Sequence, residues 1–429
     1  MRPNSFQPDF YRNNRKRLAS QLKSHSVAVL HSNHKMPTNA DGTYPFVQNS
    51  DLFYLTGIDQ EDTTLLLFPD APNETLKEIL FIRYADEYVL TWEGHKLSKE
   101  EARKISGIET ILWHNGFEST FHDLALGCEH VYLNANEHKR ADHVVKNKDE
   151  KFMEWCKKNL PLHSYQRLAP LMHQLRVRKQ DFEISQLKTA CHITKKGFER
   201  VAHFLKPNVY EYELEAELIH EFIRNGSKGF AYQPIVASGP DTCVLHYVTN
   251  QKQCKDGDLV LLDVAAEYGN YKSDLTRVLP VNGRFNKRQK EVYKAVLNMF
   301  HYAKCILKPG LTFEDYNKAI GEKAEEELLA LGLLNLQDLR SQDKKKPLYK
   351  TYFMHGLSHF LGLDVHDVGT MQGKMEENMV LTCEPGIYIR KEGIGIRLEN
   401  DILITENGYL DLMENIPIEL DEIEQLMTK

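Results

Sequence analysis

The stretch Asp258-Leu-Val-Leu-Leu-Asp-Val-Ala-Ala-Glu-Tyr-Gly-Asn-Tyr-Lys-Ser-Asp-Leu-Thr-Arg-Val278 decides how this chain is read. Branched aliphatics over Asp258–Ala265 predict a strand, and Tyr271–Val278 predicts a second. Each carries an acid where a buried strand should be apolar, Asp263 in the first and Asp274 in the second. Glu267-Tyr-Gly-Asn270 is the turn candidate, and a two-residue loop at Tyr268-Gly269 sets Asp263 directly opposite Asp274 on one face. Cross-strand Cβ atoms lie about 5 Å apart, and like charges at that spacing destabilise a sheet. A lone Asp is explained by solvent, or by Arg277 or Lys272. Two face to face call for a divalent cation, because buried carboxylates without a counter-charge are costly.

The same chemistry recurs downstream. Met354-His-Gly-Leu-Ser-His-Phe-Leu-Gly-Leu-Asp-Val-His-Asp367 places histidines at 355, 359 and 366. His355 and His359 have the spacing of a zincin helix, but Gly356 stands where the zincin base belongs. Met379–Gly386 predicts a strand ending at Glu384-Pro-Gly, and Ile387–Ile389 with Gly395–Thr405 predicts a hairpin through Lys391-Glu-Gly393. Alternation puts Arg397, Glu399 and Asp401 on one face, where a salt bridge to Arg397 is enough to explain Glu399 alone. Together, Asp263, Asp274, His359, Glu384 and Glu399 make an oxygen-rich, thiolate-free set. It favours Mn²⁺ or Co²⁺ before Zn²⁺. Four carboxylates exceed the need of one ion and suit two, bridged about 3.5–4 Å apart.

The rest of the chain frames this cluster. Its 429 residues carry a net charge of −7, with 41% hydrophobic and 27% charged residues, which is ordinary for a globular protein of two or three domains. The acid excess argues against a general nucleic-acid or anionic-membrane binder. No uncharged apolar run of about 18 residues is present. Seven scattered cysteines form no CxxC pair, and no secretory signal opens the chain, so a reducing, cytoplasmic setting is expected. Strands are predicted at Ser26–His31, Thr64–Phe68, Glu78–Arg83 and Glu87–Thr91, and a helix at Leu97–Ser106 with a Ser98/Glu101 capping box. Helices follow at Ala169–Arg178, Asp181–Leu205, Tyr212–Asn225, Lys287–Leu307 and Phe313–Leu331. The expected fold class is α+β: a smaller α/β domain over 1–172 and an α+β domain over 173–429.

The order Asp263, Asp274, His359, Glu384, Glu399 resembles the pita-bread metallopeptidases, which include methionine aminopeptidase, prolidase, aminopeptidase P and creatinase. The resemblance covers the chain from about 175 onward and includes Ile235–Gly239, Leu245-His246-Tyr247, Asp274–Arg277, Glu384-Pro-Gly386 and Gly393–Glu399. Tyr44–Gly57 resembles the N-terminal domain of the prolidase, aminopeptidase P and creatinase branch. Phe353–Gly369, with Met354 and Ser358, is similar to bacterial aminopeptidase P. The resemblance implies an enzyme that hydrolyses the bond after the N-terminal residue of peptides with proline second. By the same resemblance Asp263 would chelate one ion, Asp274 and Glu399 would bridge both, and His359 and Glu384 would bind the second. A bridging water would attack the scissile carbonyl, with Glu384 as general base. His246 and His366 would contact the substrate carbonyl, His355 would line a proline pocket, Arg397 would hold a ligand carboxylate and Tyr388 would sit near the metals. It also implies a homodimer or homotetramer, in which Trp92 is a candidate to close a neighbour's site. The alternatives are a prolidase restricted to Xaa-Pro dipeptides and a catalytically silent peptide-binding module.

Overall fold

The computed structural model describes residues 7–142 and 144–428. Packing divides the chain into two units, one ending at Arg176 and the other beginning at Val177. The expected boundary at residue 172 falls inside the helix Ala169–Arg176, and the division sits at the end of that helix instead.

The N-terminal unit is built on one sheet of β1 (Ser26–His31), β2 (Thr64–Leu67), β3 (Glu78–Ile82), β4 (Thr110–Trp113), β5 (His130–Leu133) and β6 (Ser164–Arg167). Their spatial order is β4-β3-β2-β1-β5-β6. β1, β2 and β3 form an antiparallel meander, while β4, β5 and β6 each lie parallel to a neighbour. Parallel strands need crossovers, and the helices between them cover the sheet. Ser98 and Glu101 form the expected capping box on the helix Lys99–Ser106. One expected strand is a helix: Glu87–Glu93, begun by Asp86, whose side chain accepts from the Val89 amide. Tyr88-Val-Leu90 has strand-like residues, but an N-cap acid closes the first turn before alternation can matter. None of that helix is buried.

Inside this unit Asp149 is 5% exposed and accepts from the His31 amide at 3.0 Å and from Asn134 Nδ2 at 3.3 Å. Burial nevertheless pushes its carboxyl up from 3.8 to about 7. The folded unit therefore keeps a proton that the unfolded chain releases, and this contribution to stability is present below pH 3.8 and lost as pH rises through about 7. His31, pushed down to about 3 by burial, has the opposite slope below pH 6.5. Asp149→Asn removes the first slope alone. The wild type's urea midpoint should gain on the variant's when the buffer is taken from about pH 7.5 to about pH 4.5, and a constant difference would refute the assignment.

In the second unit the strands are β7 (Ile235–Ser238), β8 (Leu259–Asp263), β9 (Glu267–Tyr268), β10 (Tyr271–Lys272), β11 (Thr276–Pro280), β12 (Val380–Cys383), β13 (Gly386–Ile389), β14 (Ile394–Arg397), β15 (Asn400–Thr405) and β16 (Gly408–Asp411). They form the antiparallel sheets β11-β8-β7 and β12-β15-β16 and the hairpins β9-β10 and β13-β14. The helices Asp181–Phe204, Glu211–Arg224, Lys287–Ile306 and Phe313–Ala330 share one apolar core with these strands. Among the described residues no helix is long and apolar enough to cross a membrane.

The turn after β8 departs from expectation. Its central residues are Gly269 and Asn270, at φ 59° and 68°. A two-residue hairpin loop needs this left-handed pair, and Tyr268 would adopt it only under strain. The register moves by two, so Asp263 pairs with Thr276 and not with Asp274. A shift of two conserves the in–out alternation. Asp274 lies in the short irregular stretch between β10 and β11.

Candidate metal centre

Three strand edges meet at Thr276, which pairs with Asp263 and bridges to Glu399, whose amide donates to the Thr276 carbonyl at 3.1 Å. The Thr276 hydroxyl donates to Glu399 Oε2 at 2.6 Å. Its neighbour Arg277 is fully buried and donates to the carbonyls of Pro417 (2.9 Å), Thr276 (3.0 Å), Glu399 (2.8 Å) and Ile416 (3.4 Å) and to Asn400 Oδ1 (2.7 Å). These five bonds use the full donor set of a guanidinium. Arg277 therefore fastens the strands and does not answer Asp263 or Asp274. Arg397 donates to Asp263 Oδ2 at 2.6 Å, to the Tyr388 hydroxyl at 2.8 Å and to Thr276 Oγ1 at 3.0 Å.

The histidines stand on irregular chain. No helix covers residues 353–379, so the four-residue spacing of His355 and His359 is not a helical face. The His359 amide donates to Thr382 Oγ1 at 3.0 Å. His359 Nδ1 lies 3.0 Å from the Phe360 carbonyl, which fixes the proton on Nδ1. Nε2 then faces Asp274 Oδ2 at 3.4 Å and Glu384 Oε1 at 3.7 Å. His366 packs edge-on against His359 with centroids 4.5 Å apart. Asp367 anchors this loop: its amide donates to the Phe360 carbonyl, and its carboxylate pairs with Lys179 Nζ at 3.0 Å, both side chains 1% exposed. At Gly362 a Cβ would stand 2.1 Å from Asp367 Oδ2 and 2.9 Å from Lys179 Cε, so the loop closes only over a glycine.

His355 reaches the cluster from another side, its Nδ1 3.5 Å from Glu384 Oε2. Its Nδ1 lies 2.7 Å from the Gly356 carbonyl and its Nε2 2.8 Å from the Tyr388 hydroxyl. Tyr388 thus accepts from Arg397 and donates to His355. Burial, with Arg397 nearby, pushes the His355 imidazole down to about 3 and keeps it neutral. His246 follows the 3₁₀ turn Gly239–Cys243 and is exposed.

Asp274, His359 and Glu399 each offer a ligand atom, and these atoms lie within 4.8 Å of one another. Glu384 flanks the group beside His359, and Asp263 is joined to Asp274 by one hydroxyl. That hydroxyl is Tyr232, 2.7 Å from Asp263 Oδ1 and 2.5 Å from Asp274 Oδ1. A phenol has one proton and cannot donate to both, so these oxygens need a further positive centre. The electrostatics agree. Burial raises Glu384 to about 7 and raises Asp263 and Glu399, and the neighbouring acids add to each. Burial would lower His359, but the Asp274 hydrogen bond and the Glu384 charge raise it to about 9. Four acids thus face one guanidinium and one imidazole, and a pair of divalent cations fits the donor set. Held by these residues, such ions would supply Lewis acidity toward a water and a peptide carbonyl.

Sequence reasoning missed Tyr232. It lies in the irregular segment before β7, where an aromatic carries no periodic signal. Tyr232→Phe removes the hydroxyl that orients two carboxylates. The variant should fold normally and bind divalent metal about 10-fold more weakly in calorimetric titration. Unchanged affinity would show the hydroxyl to be a bystander.

Residues 185–406 match the model of Metallopeptidase family M24, and residues 11–132 match that of the Aminopeptidase P, N-terminal domain. The chain is similar to the Xaa-Pro aminopeptidase of Escherichia coli K12, at 35% identity covering 97% of each chain. It is similar in structure to a candidate aminopeptidase P from Bacillus anthracis, with TM-score 0.91, 37% identity and 98% of each chain covered. Aminopeptidase P from E. coli with the inhibitor Pro-Leu gives TM-score 0.88 at 33% identity over 99% of each chain.

Proposed function

From membership of metallopeptidase family M24, to which this chain belongs, we infer that it is a manganese-dependent Xaa-Pro aminopeptidase. It releases the N-terminal residue from peptides with proline second. The observation that carries this reading is the cluster of buried Asp274 and Glu399 with half-buried His359, flanked by Asp263 and Glu384, in a chain matched over 97% of its length by an Xaa-Pro aminopeptidase. These five residues hold two ions. Mn²⁺ is favoured over Co²⁺ and Zn²⁺ by four carboxylates and a single imidazole. A silent binding module has no need to bury four acids together.

The side chains divide the work as follows. Glu384, raised toward neutrality by burial, takes a proton from the attacking water and returns it to the proline nitrogen as the bond breaks. His246 and His366 donate to the carbonyl oxygen as it gains charge. His355, neutral and packed edge-on against Phe353 at 4.9 Å, walls the pyrrolidine ring. Arg397 holds Asp263 and Tyr388 in place. Trp92 is 74% exposed, which removes a core role and leaves it free to meet a second copy in a homodimer or homotetramer. The setting is cytoplasmic.

The test is an assay with Mn²⁺ on an Xaa-Pro dipeptide and on a longer Xaa-Pro peptide. Cleavage of the longer peptide is expected. Cleavage of the dipeptide alone would make the enzyme a prolidase, and cleavage of neither by metal-loaded protein would make it a binding module. Asp274→Ala should lower kcat by at least about 10³-fold and bind less metal by elemental analysis. Full turnover by that variant would overturn the two-ion site.

A further inference from the structure

His246 is exposed, yet a group that stabilises a developing charge must be held in place before the reaction. The segment presenting it runs from the end of β7 at Ser238 to Lys252. Val244 and Val248, two residues either side of His246, are 48% and 40% exposed, while Tyr247 at 9% and Cys243 at 6% are buried. Polar groups outside the stretch supply further order.

The outside group with the most bonds to its two ends is Glu211, the first residue of the helix Glu211–Arg224 and 0% exposed. Its Oε1 accepts from the Ser238 amide at 2.8 Å and from the Ser238 hydroxyl at 2.6 Å. Its Oε2 accepts from the Tyr247 hydroxyl at 2.8 Å and from the Lys252 amide at 2.9 Å. The Glu211 amide returns a bond to the Lys252 carbonyl at 2.9 Å. Two oxygens meet four donors, which is the accepting capacity of an ionised carboxylate. The donors lie at the start of the loop, at its end, and on the residue beside His246.

We propose that Glu211 is a positioning residue for the aminopeptidase reaction, clamping Ser238, Tyr247 and Lys252 so that the loop presents His246 to the scissile carbonyl. The proposal rests on the reading of His246 as a carbonyl contact. A residue acting only as a helix-terminal acid has no need of loop donors on both oxygens. Nor can glutamine replace it, because one of its two polar atoms is a donor and would face two donors of the loop.

The experiment is a double-mutant cycle on the full-length, manganese-loaded enzyme, with a longer Xaa-Pro peptide as substrate. His246→Ala should lower kcat. Glu211→Gln should lower kcat by about 10- to 100-fold, with metal content unchanged. In the His246→Ala background the same Glu211→Gln change should cost less than about twofold, because the two residues act as one unit. Tyr247→Phe removes a single donor and serves if Glu211→Gln does not fold; it should follow the same pattern with a smaller loss. An equal loss from Glu211→Gln, or from Tyr247→Phe, in both backgrounds would mean a general structural role and would overturn the proposal. Unchanged kinetics in His246→Ala would instead overturn the reading of His246, and the proposal with it.

Discussion

Mutual repulsion of four acids out of water is the constraint to which the second unit answers. Asp263, Asp274, Glu384 and Glu399 come from four different places in the chain, and each would lower its energy by moving away from the others. What prevents this is the backbone. The ladder between β8 and β11 holds Asp263, the bridge at Thr276 holds Glu399, and the end of β12 holds Glu384. Arg277 closes the junction by tying five oxygens from three stretches of chain. Its contribution is geometric: its hydrogen bonds go to neutral oxygens and leave the charge of the acids to be met elsewhere.

That division between fastening and neutralising runs through the site. Arg397 does the second job for Asp263, and through Tyr388 it also orders His355. Lys179 does it for Asp367, far from any acid of the cluster in sequence, and so steadies the loop that carries His359 and His366. Arg397 and Lys179 are each placed where their loss would strand an acid, which is the expensive failure in a low-dielectric interior.

Much of this was legible because the chemistry contradicts the local pattern. An Asp inside Leu-Val-Leu-Leu-Asp-Val is an anomaly that points to itself, and the in–out parity of Asp263 and Asp274 survived an error in the turn. The error had a local cause: Gly269-Asn270 and Tyr268-Gly269 both contain glycine, and only the first supplies two left-handed residues cheaply. The Glu87–Glu93 helix was missed for the opposite reason, since strand-like side chains outvoted one capping acid. The histidine loop offered a helical spacing that its glycines do not support. Tyr232 and Glu211 left no trace at all. Each is an ordinary residue in its own neighbourhood, and its meaning comes from partners tens of positions away.

Gly362 has a practical consequence for anyone redesigning the enzyme. A single methyl group at this position would collide with Asp367 and crowd Lys179, so position 362 is closed to any side chain unless that buried ion pair moves. Thr370, Met371 and Gln372, a few residues on, are exposed. Substitutions there meet solvent, and a lineage of variants can drift at those positions without disturbing the buried pair of Asp367 and Lys179.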